Sequence, residues 1–189
     1  MDLSTNFQFK EFTSVPLNEI PQIQVFMLKN LTINLLEPIR DFLRCSIEIT
    51  CGIRTMEDVK RLIAKGYHPS ESSDHYFGSA FPLNNPKKIQ IYGKEYAYSV
   101  GAADVVPACG AKIAFEKLRP YFKSNTNEIW LPSKMLKVGQ LILEKGNDYW
   151  LHISNPATIL YEKSFVERYL KRRPFLISLD NGESYQPVV

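Results

Sequence analysis

The chain has 189 residues, 44% hydrophobic and 12% aromatic, which suits one compact domain spanning 1–189. Its 23 Lys+Arg against 20 Asp+Glu leave a net charge of +3, too small and too evenly spread to announce a polyanion, so nucleic acid is not an expected partner. No run approaches the roughly 18 consecutive apolar residues of a membrane span, and the polar start, Met1 to Lys10, lacks the apolar core of a signal peptide.

In chain order, the first clear element follows Pro21. Val25, Leu28, Leu31, Leu35, Ile39 and Phe42 recur at steps of three and four, an amphipathic helix that Pro38 should bend or end. Ser46 to Thr50 alternates polar and β-branched residues as a half-buried strand, with Gly52 and Arg54 at its end. Cys45 and Cys51 flank that strand, which would hold them roughly 20 Å apart, too far for a bridge. With Cys109 they make an odd number, and all three are expected to be reduced, small and mostly buried, as suits synthesis in a cytoplasm.

Thr55 and Asp58 form a capping-box pattern, Val59, Leu62 and Ile63 supply a buried face, and Gly66 closes a short helix. Lys88 to Tyr98 reads as a hairpin across Gly93-Lys94. Gly101 to Val106 is a small-residue strand, and Ala111, Ile113, Ala114, Leu118 and Tyr121 space a helix ending near Pro120. A second hairpin pairs Gln140–Glu144 with Tyr149–Ser154, and a last strand covers Pro174 to Leu179. Helices with mainly antiparallel strands make an α+β domain.

Chemistry is constrained by the scarcity of histidine: only His68, His75 and His152 are available. His75 sits in a polar loop, whereas His152 lies in the apolar run Tyr149–Ile153, where a histidine is ordinarily a hydrogen-bonded core residue. Asp104 is the stranger residue, because a carboxylate within a small apolar strand needs a cation, a cage of donors or a raised pKa. Two imidazoles and a carboxylate suffice for a catalytic Zn²⁺ with one open position, and His75, Asp104 and His152 can form that set.

At these residues the chain resembles the zinc peptidoglycan peptidases, the D-Ala-D-Ala carboxypeptidases and phage L-alanyl-D-glutamate endopeptidases that share a fold with the hedgehog signalling domain. The resemblance runs through Phe7 to Phe12, Leu36-Glu37-Pro38-Ile39-Arg40, Cys51-Gly52-Ile53-Arg54-Thr55, Ser73-Asp74-His75, Gly101-Ala102-Ala103-Asp104, Gln140-Leu141-Ile142-Leu143-Glu144 and Trp150-Leu151-His152-Ile153-Ser154. These segments stand in the family's order over residues 7 to 180. The resemblance implies Zn²⁺ held by His75, Asp104 and His152, with Arg54 binding and polarising substrate near the scissile carbonyl. It implies Glu144 as the base that activates water, with Asp148 as runner-up, and Ser73 as a loop-fixing or substrate-touching hydroxyl. Arg40 reads as structural and His68 as a solvated loop residue.

The chain departs from the family where the first histidine and the aspartate are normally seven positions apart. Position 82 is Pro, and an insertion at about 81–98, carrying the Lys88–Tyr98 hairpin, splits the motif and is expected to overhang the site as a flap. Cys51 also replaces the usual serine. The implied function is a monomeric phage- or prophage-type metallopeptidase of peptidoglycan stem peptides, made in the cytoplasm and reaching the wall after release or in a phage particle. The rival is a non-catalytic zinc-binding or virion-structural module of the same fold. A nucleic-acid module built on Lys163 to Arg173 is disfavoured, since Lys171-Arg172-Arg173 reads as a solvated face.

Overall fold

The computed structural model describes residues 1–20, 22–69, 73–76, 98–99, 101–156, 158–159, 175–180 and 183–188. Two short 3-10 turns, Phe9–Glu11 and Leu17–Glu19, precede helix α1 (Gln22–Leu31), a π-helical stretch (Thr32–Leu36), α2 (Glu37–Leu43), strand β1 (Ile47–Cys51) and helix α3 (Met56–Ala64). A 3-10 turn at Asp74–Tyr76 leads to β2 (Tyr98–Ser99), β3 (Ala102–Pro107), α4 (Ala111–Leu118), β4 (Phe122–Lys123), β5 (Glu128–Trp130) and β6 (Met135–Lys137). The chain continues through β7 (Gln140–Lys145), β8 (Tyr149–Ser154), β9 (Thr158–Ile159), β10 (Phe175–Ser178) and β11 (Gln186–Pro187). The architecture is α+β with mainly antiparallel sheet, as the sequence pattern predicts. The expected 88–98 hairpin, like the 81–98 insertion, lies outside the described residues apart from Tyr98, and Lys163 to Arg173 lies wholly outside them.

A six-stranded sheet in the order β1-β3-β8-β7-β10-β11 organises the molecule. Strand alternation gives it two chemically different faces. Ala103 and Val105 of β3, Leu141 and Leu143 of β7, and Leu151 and Ile153 of β8 are buried in the core. They join Leu28, Leu31, Leu35, Leu36 and Ile39 of the N-terminal helical run and Ala114, Phe115 and Leu118 of α4 in one cluster. Fully burying each large side chain there contributes about 1.5–3 kcal/mol. The intervening positions, Asp104, Ile142, Glu144, Trp150 and His152, fall on the opposite face.

Of the two outcomes expected at Pro38, a bend or an end, the helical run is not ended there. Pro38 has no N–H to offer the carbonyl four residues back, and the chain absorbs the defect just upstream as the π-helical stretch before resuming as α2. Arg44, in the left-handed region at φ 55°, then closes α2 by donating its N–H to the Arg40 carbonyl.

The capping box of α3 forms as predicted: the Asp58 N–H donates to Thr55 Oγ1 at 3.1 Å, and the Thr55 N–H donates to Asp58 Oδ2 at 2.9 Å. Its apolar face is not buried, however: Val59 and Leu62 are half-buried and Ile63 is 59% exposed. Among the described residues no second layer encloses this helix. Ile113 of α4 is likewise exposed, while Ala111, Ala114, Phe115 and Leu118 turn inward.

The N-terminal segment locks onto the sheet through Gly52. A Cβ at that position would stand 2.4 Å from the Phe12 carbonyl oxygen, which accepts the Ile53 N–H at 2.8 Å, so only glycine permits the approach. Glu37 anchors the same segment by accepting from Ser4 Oγ, the Asn6 N–H and Asn6 Nδ2.

Several features have no counterpart in the sequence reading. β4, β5 and β6 form a small antiparallel sheet, and β10 enters the main sheet parallel to β7. The three cysteines are free thiols, half-buried rather than mostly buried.

Candidate metal centre

Register assembles the site. Across the polar face of the main sheet, Cys51 is paired with Asp104, Asp104 with His152, and His152 with Ile142, so three reactive side chains stand in one transverse row. A register irregularity between Ile49 and Cys51 shifts β1 by one residue and brings Cys51 opposite Asp104. His75 arrives from the Asp74–Tyr76 turn, which is tied down where the Arg54 N–H donates to the His75 carbonyl at 3.1 Å.

Three donor atoms converge. His75 Nε2 lies 2.9 Å from Asp104 Oδ1 and 3.1 Å from His152 Nδ1, and His152 Nδ1 lies 3.0 Å from Asp104 Oδ1. Both histidines are buried, and Asp104 is half-buried. His75 Nδ1 is 2.7 Å from the Gly52 carbonyl and donates its proton there, so Nε2 is the nitrogen that faces the other two. His152 presents its far nitrogen, Nε2, to Asp74 Oδ2 at 3.9 Å.

Cys51, His75 and Asp104 also form a group whose donor atoms lie within 4.8 Å of one another and that can hold a metal ion. Two overlapping donor sets therefore share His75 and Asp104 and differ in their third member, Cys51 or His152. The Cys51 sulfur lies 3.8 Å from His75 Nδ1, the nitrogen already engaged by Gly52.

The electrostatics are those of positive groups gathered round one carboxylate. Burial works against the Asp104 charge, but His75 and His152 overcome it and hold this carboxyl well below the usual range. Burial equally opposes an imidazolium, yet Asp104 pushes His75 up to about 10 and, with Asp74, raises His152. Burial likewise opposes ionisation of Cys51, but the neighbouring His75 lowers its pKa overall. A cation bound at the same atoms would replace the protons that Asp104 stabilises on His75 and His152.

Arg54 is buried, with Nη2 3.5 Å from Asp104 Oδ2 and Nη1 donating to Ser73 Oγ at 3.4 Å. Its Nε has no hydrogen-bond partner among the described residues. Ser73 Oγ also accepts the His75 N–H at 3.4 Å, so this hydroxyl braces the loop that carries the histidine.

Glu144 lines the same cavity of about 770 Å³ as His75, Asp104 and His152. Burial, and then the negative charge of Asp104, raise its carboxyl to about 7. Asp148 is exposed in the β7–β8 turn and is not among the residues lining the cavity. His68 is largely exposed at the cavity wall, 3.6 Å from Glu183.

The sequence reading missed two contributors. Asp74, immediately before His75, faces the second imidazole, and Tyr185, next to β11, lines the cavity near Glu144. The Ser73-Asp74-His75 spacing held a signal for Asp74, whereas Tyr185 had none. Comparison with protein-family models, curated proteins and solved structures returned no match to this chain.

Proposed function

We propose that the protein is a zinc-dependent peptidase of the D-amino-acid-containing stem peptides of bacterial peptidoglycan. The observation that carries the reading is the convergence of His75 Nε2, Asp104 Oδ1 and His152 Nδ1 to within 3.1 Å, with Glu144 lining the same cavity. The choice of wall peptide as substrate rests on the ordered segments that resemble the peptidoglycan peptidases.

His152 is the better third donor. With His75 Nδ1 given to the Gly52 carbonyl, only Nε2 can bind a cation, and that atom faces His152 rather than the Cys51 sulfur. Two imidazoles and one carboxylate are a donor set that would hold Zn²⁺ and leave a further position for water. Zn²⁺ bound there would supply Lewis acidity toward a carbonyl oxygen and lower the pKa of water at its open position to about 7.

The side chains supply the rest. Glu144 accepts a proton from the attacking water and returns it to the leaving amine. Arg54 contributes positive charge toward the developing oxyanion while Asp104 and Ser73 hold it in place.

The test is mass spectrometry of peptidoglycan incubated with zinc-loaded protein, with and without a chelator. Release of a defined stem-peptide fragment, abolished by chelation and restored by zinc, is expected. No product from several wall chemotypes, in protein holding one zinc, would overturn the reading in favour of a non-catalytic metal-binding or virion-structural module.

The donor assignment has its own check by metal titration. His152→Ala is expected to weaken zinc binding more than about 100-fold, while Cys51→Ser stays within about tenfold of the parent. The reverse order would make Cys51 the ligand.

A further inference from the structure

We propose that Cys45 and Cys109 are a redox-active pair that closes to an intramolecular disulfide when the protein meets a small-molecule disulfide. The two positions are 64 residues apart in sequence, yet their sulfurs lie 3.3 Å from each other with both thiols free. Their juxtaposition follows from the β1–β3 ladder. Ile47 pairs with Pro107, the Ala108 N–H donates to the Ser46 carbonyl at 2.9 Å, and the next opposed pair in the same register is Cys45 with Cys109. Directly opposed residues of antiparallel strands have Cα atoms about 4.5–5.5 Å apart, inside the range of about 4.4–6.8 Å that a disulfide spans.

The surroundings suit exchange. Both thiols are half-buried, so a small reagent can reach them while the backbone on each side stays hydrogen-bonded. Cys45 joins α2 to β1, and Cys109 joins β3 to α4. A bridge would therefore staple the ladder that carries Cys51 and Asp104 and enclose Arg54, His75 and Asp104 in one covalent loop. Cys51 stands at the far end of β1 against His75 and Arg54 and takes no part.

The exchange balances with oxidised glutathione as the oxidant. One protein thiolate attacks a glutathione sulfur, forms a mixed disulfide and expels one glutathione thiolate. The second protein thiolate then attacks the protein sulfur of that mixed disulfide and expels the other. Two S–H bonds are lost, one S–S bond forms, and the two protons pass to the two released glutathiones.

The experiment equilibrates the full-length protein in glutathione buffers of graded ratio, followed by thiol alkylation and non-reducing peptide mapping. A monomeric species that has lost two hydrogens is expected, with a linked Cys45–Cys109 peptide and Cys51 alone still alkylated. The oxidised protein should melt roughly 10 °C above the dithiothreitol-reduced protein. Cys109→Ser should lose the linked peptide and the oxidant-dependent melting shift while melting like the reduced parent. Three alkylatable thiols surviving at the most oxidising ratio, unresolved glutathione adducts on Cys45 or Cys109, or a bridge that includes Cys51 would each overturn the proposal.

Discussion

Glu144→Gln is expected to bind zinc like the parent and to lose about a thousandfold in kcat on a peptidoglycan stem peptide. The substitution keeps the shape and removes only the ability to take a proton, and positioned general bases contribute about 10²–10⁴-fold. Stability supplies an internal control through its sign. Burial and Asp104 raise Glu144 to about 7 from an ordinary value of 4.5, so its charged form is disfavoured in the folded state. Its contribution therefore falls as pH rises between those values, and the Gln variant should melt at or above the parent at neutral pH.

Activity should show the complementary dependence. A cation bound there would offset the Asp104 charge and lower the Glu144 carboxyl, so kcat/KM should rise through an acid limb that the Gln variant lacks. A Gln variant with metal and undiminished turnover would remove Glu144 from the mechanism and direct attention to Asp148.

Asp104→Asn is expected to have the largest effect on stability and to abolish tight metal binding. Asp104 is the carboxylate shared by His75, His152 and Arg54, with His75 Nε2 at 2.9 Å, His152 Nδ1 at 3.0 Å and Arg54 Nη2 at 3.5 Å. Removing one partner of a buried ion pair costs about 3–5 kcal/mol.

The pH dependence of that loss follows from two opposite shifts. Asp104 is lowered from 3.8, so its stabilising contribution is present above that value and disappears as the pH falls further. His75 is raised from 6.5 to about 10, so its contribution is complete below 6.5 and lost as pH rises through about 10. The penalty of Asp104→Asn should thus be greatest between about pH 4 and 6.5 and shrink by pH 10. Urea denaturation of both proteins in chelator at several pH values measures it. A penalty that does not vary with pH, or parental zinc affinity in the Asn variant, would show that the carboxylate does not hold this cluster together.

Much of the fold is local and was legible. Gln140–Glu144 and Tyr149–Ser154 were legible as the two strands of a hairpin, whereas the structure is what sorts Leu141, Leu143, Leu151 and Ile153 to one face. Thr55 and Asp58 announced the start of α3 because a cap is satisfied within one turn of chain. The apolar spacing from Val25 to Phe42 marked a helix, but the way it absorbs Pro38 depended on packing. Burial was read less well: Val59, Leu62 and Ile63 have the right period yet are half-buried or exposed.

The sequence by itself determined the inventory: three histidines, an aspartate stranded in a small apolar strand, and a glutamate on a strand face. It could nominate Asp104 because a charge among apolar neighbours needs a partner, and His75 and His152 because so few histidines are available, whereas Glu144 was nominated only by the resemblance. Tertiary structure alone decided who the partners are. Strand register places Cys51, Asp104 and His152 in one row, the Asp74–Tyr76 turn brings His75 over it, and the Gly52 carbonyl selects which imidazole nitrogen is free. The same ladder, two steps beyond its last pair, sets Cys45 against Cys109 across 64 positions of chain. Such contacts are invisible in one dimension because register is set by cooperative pairing and packing of the whole sheet, not by the residues that meet.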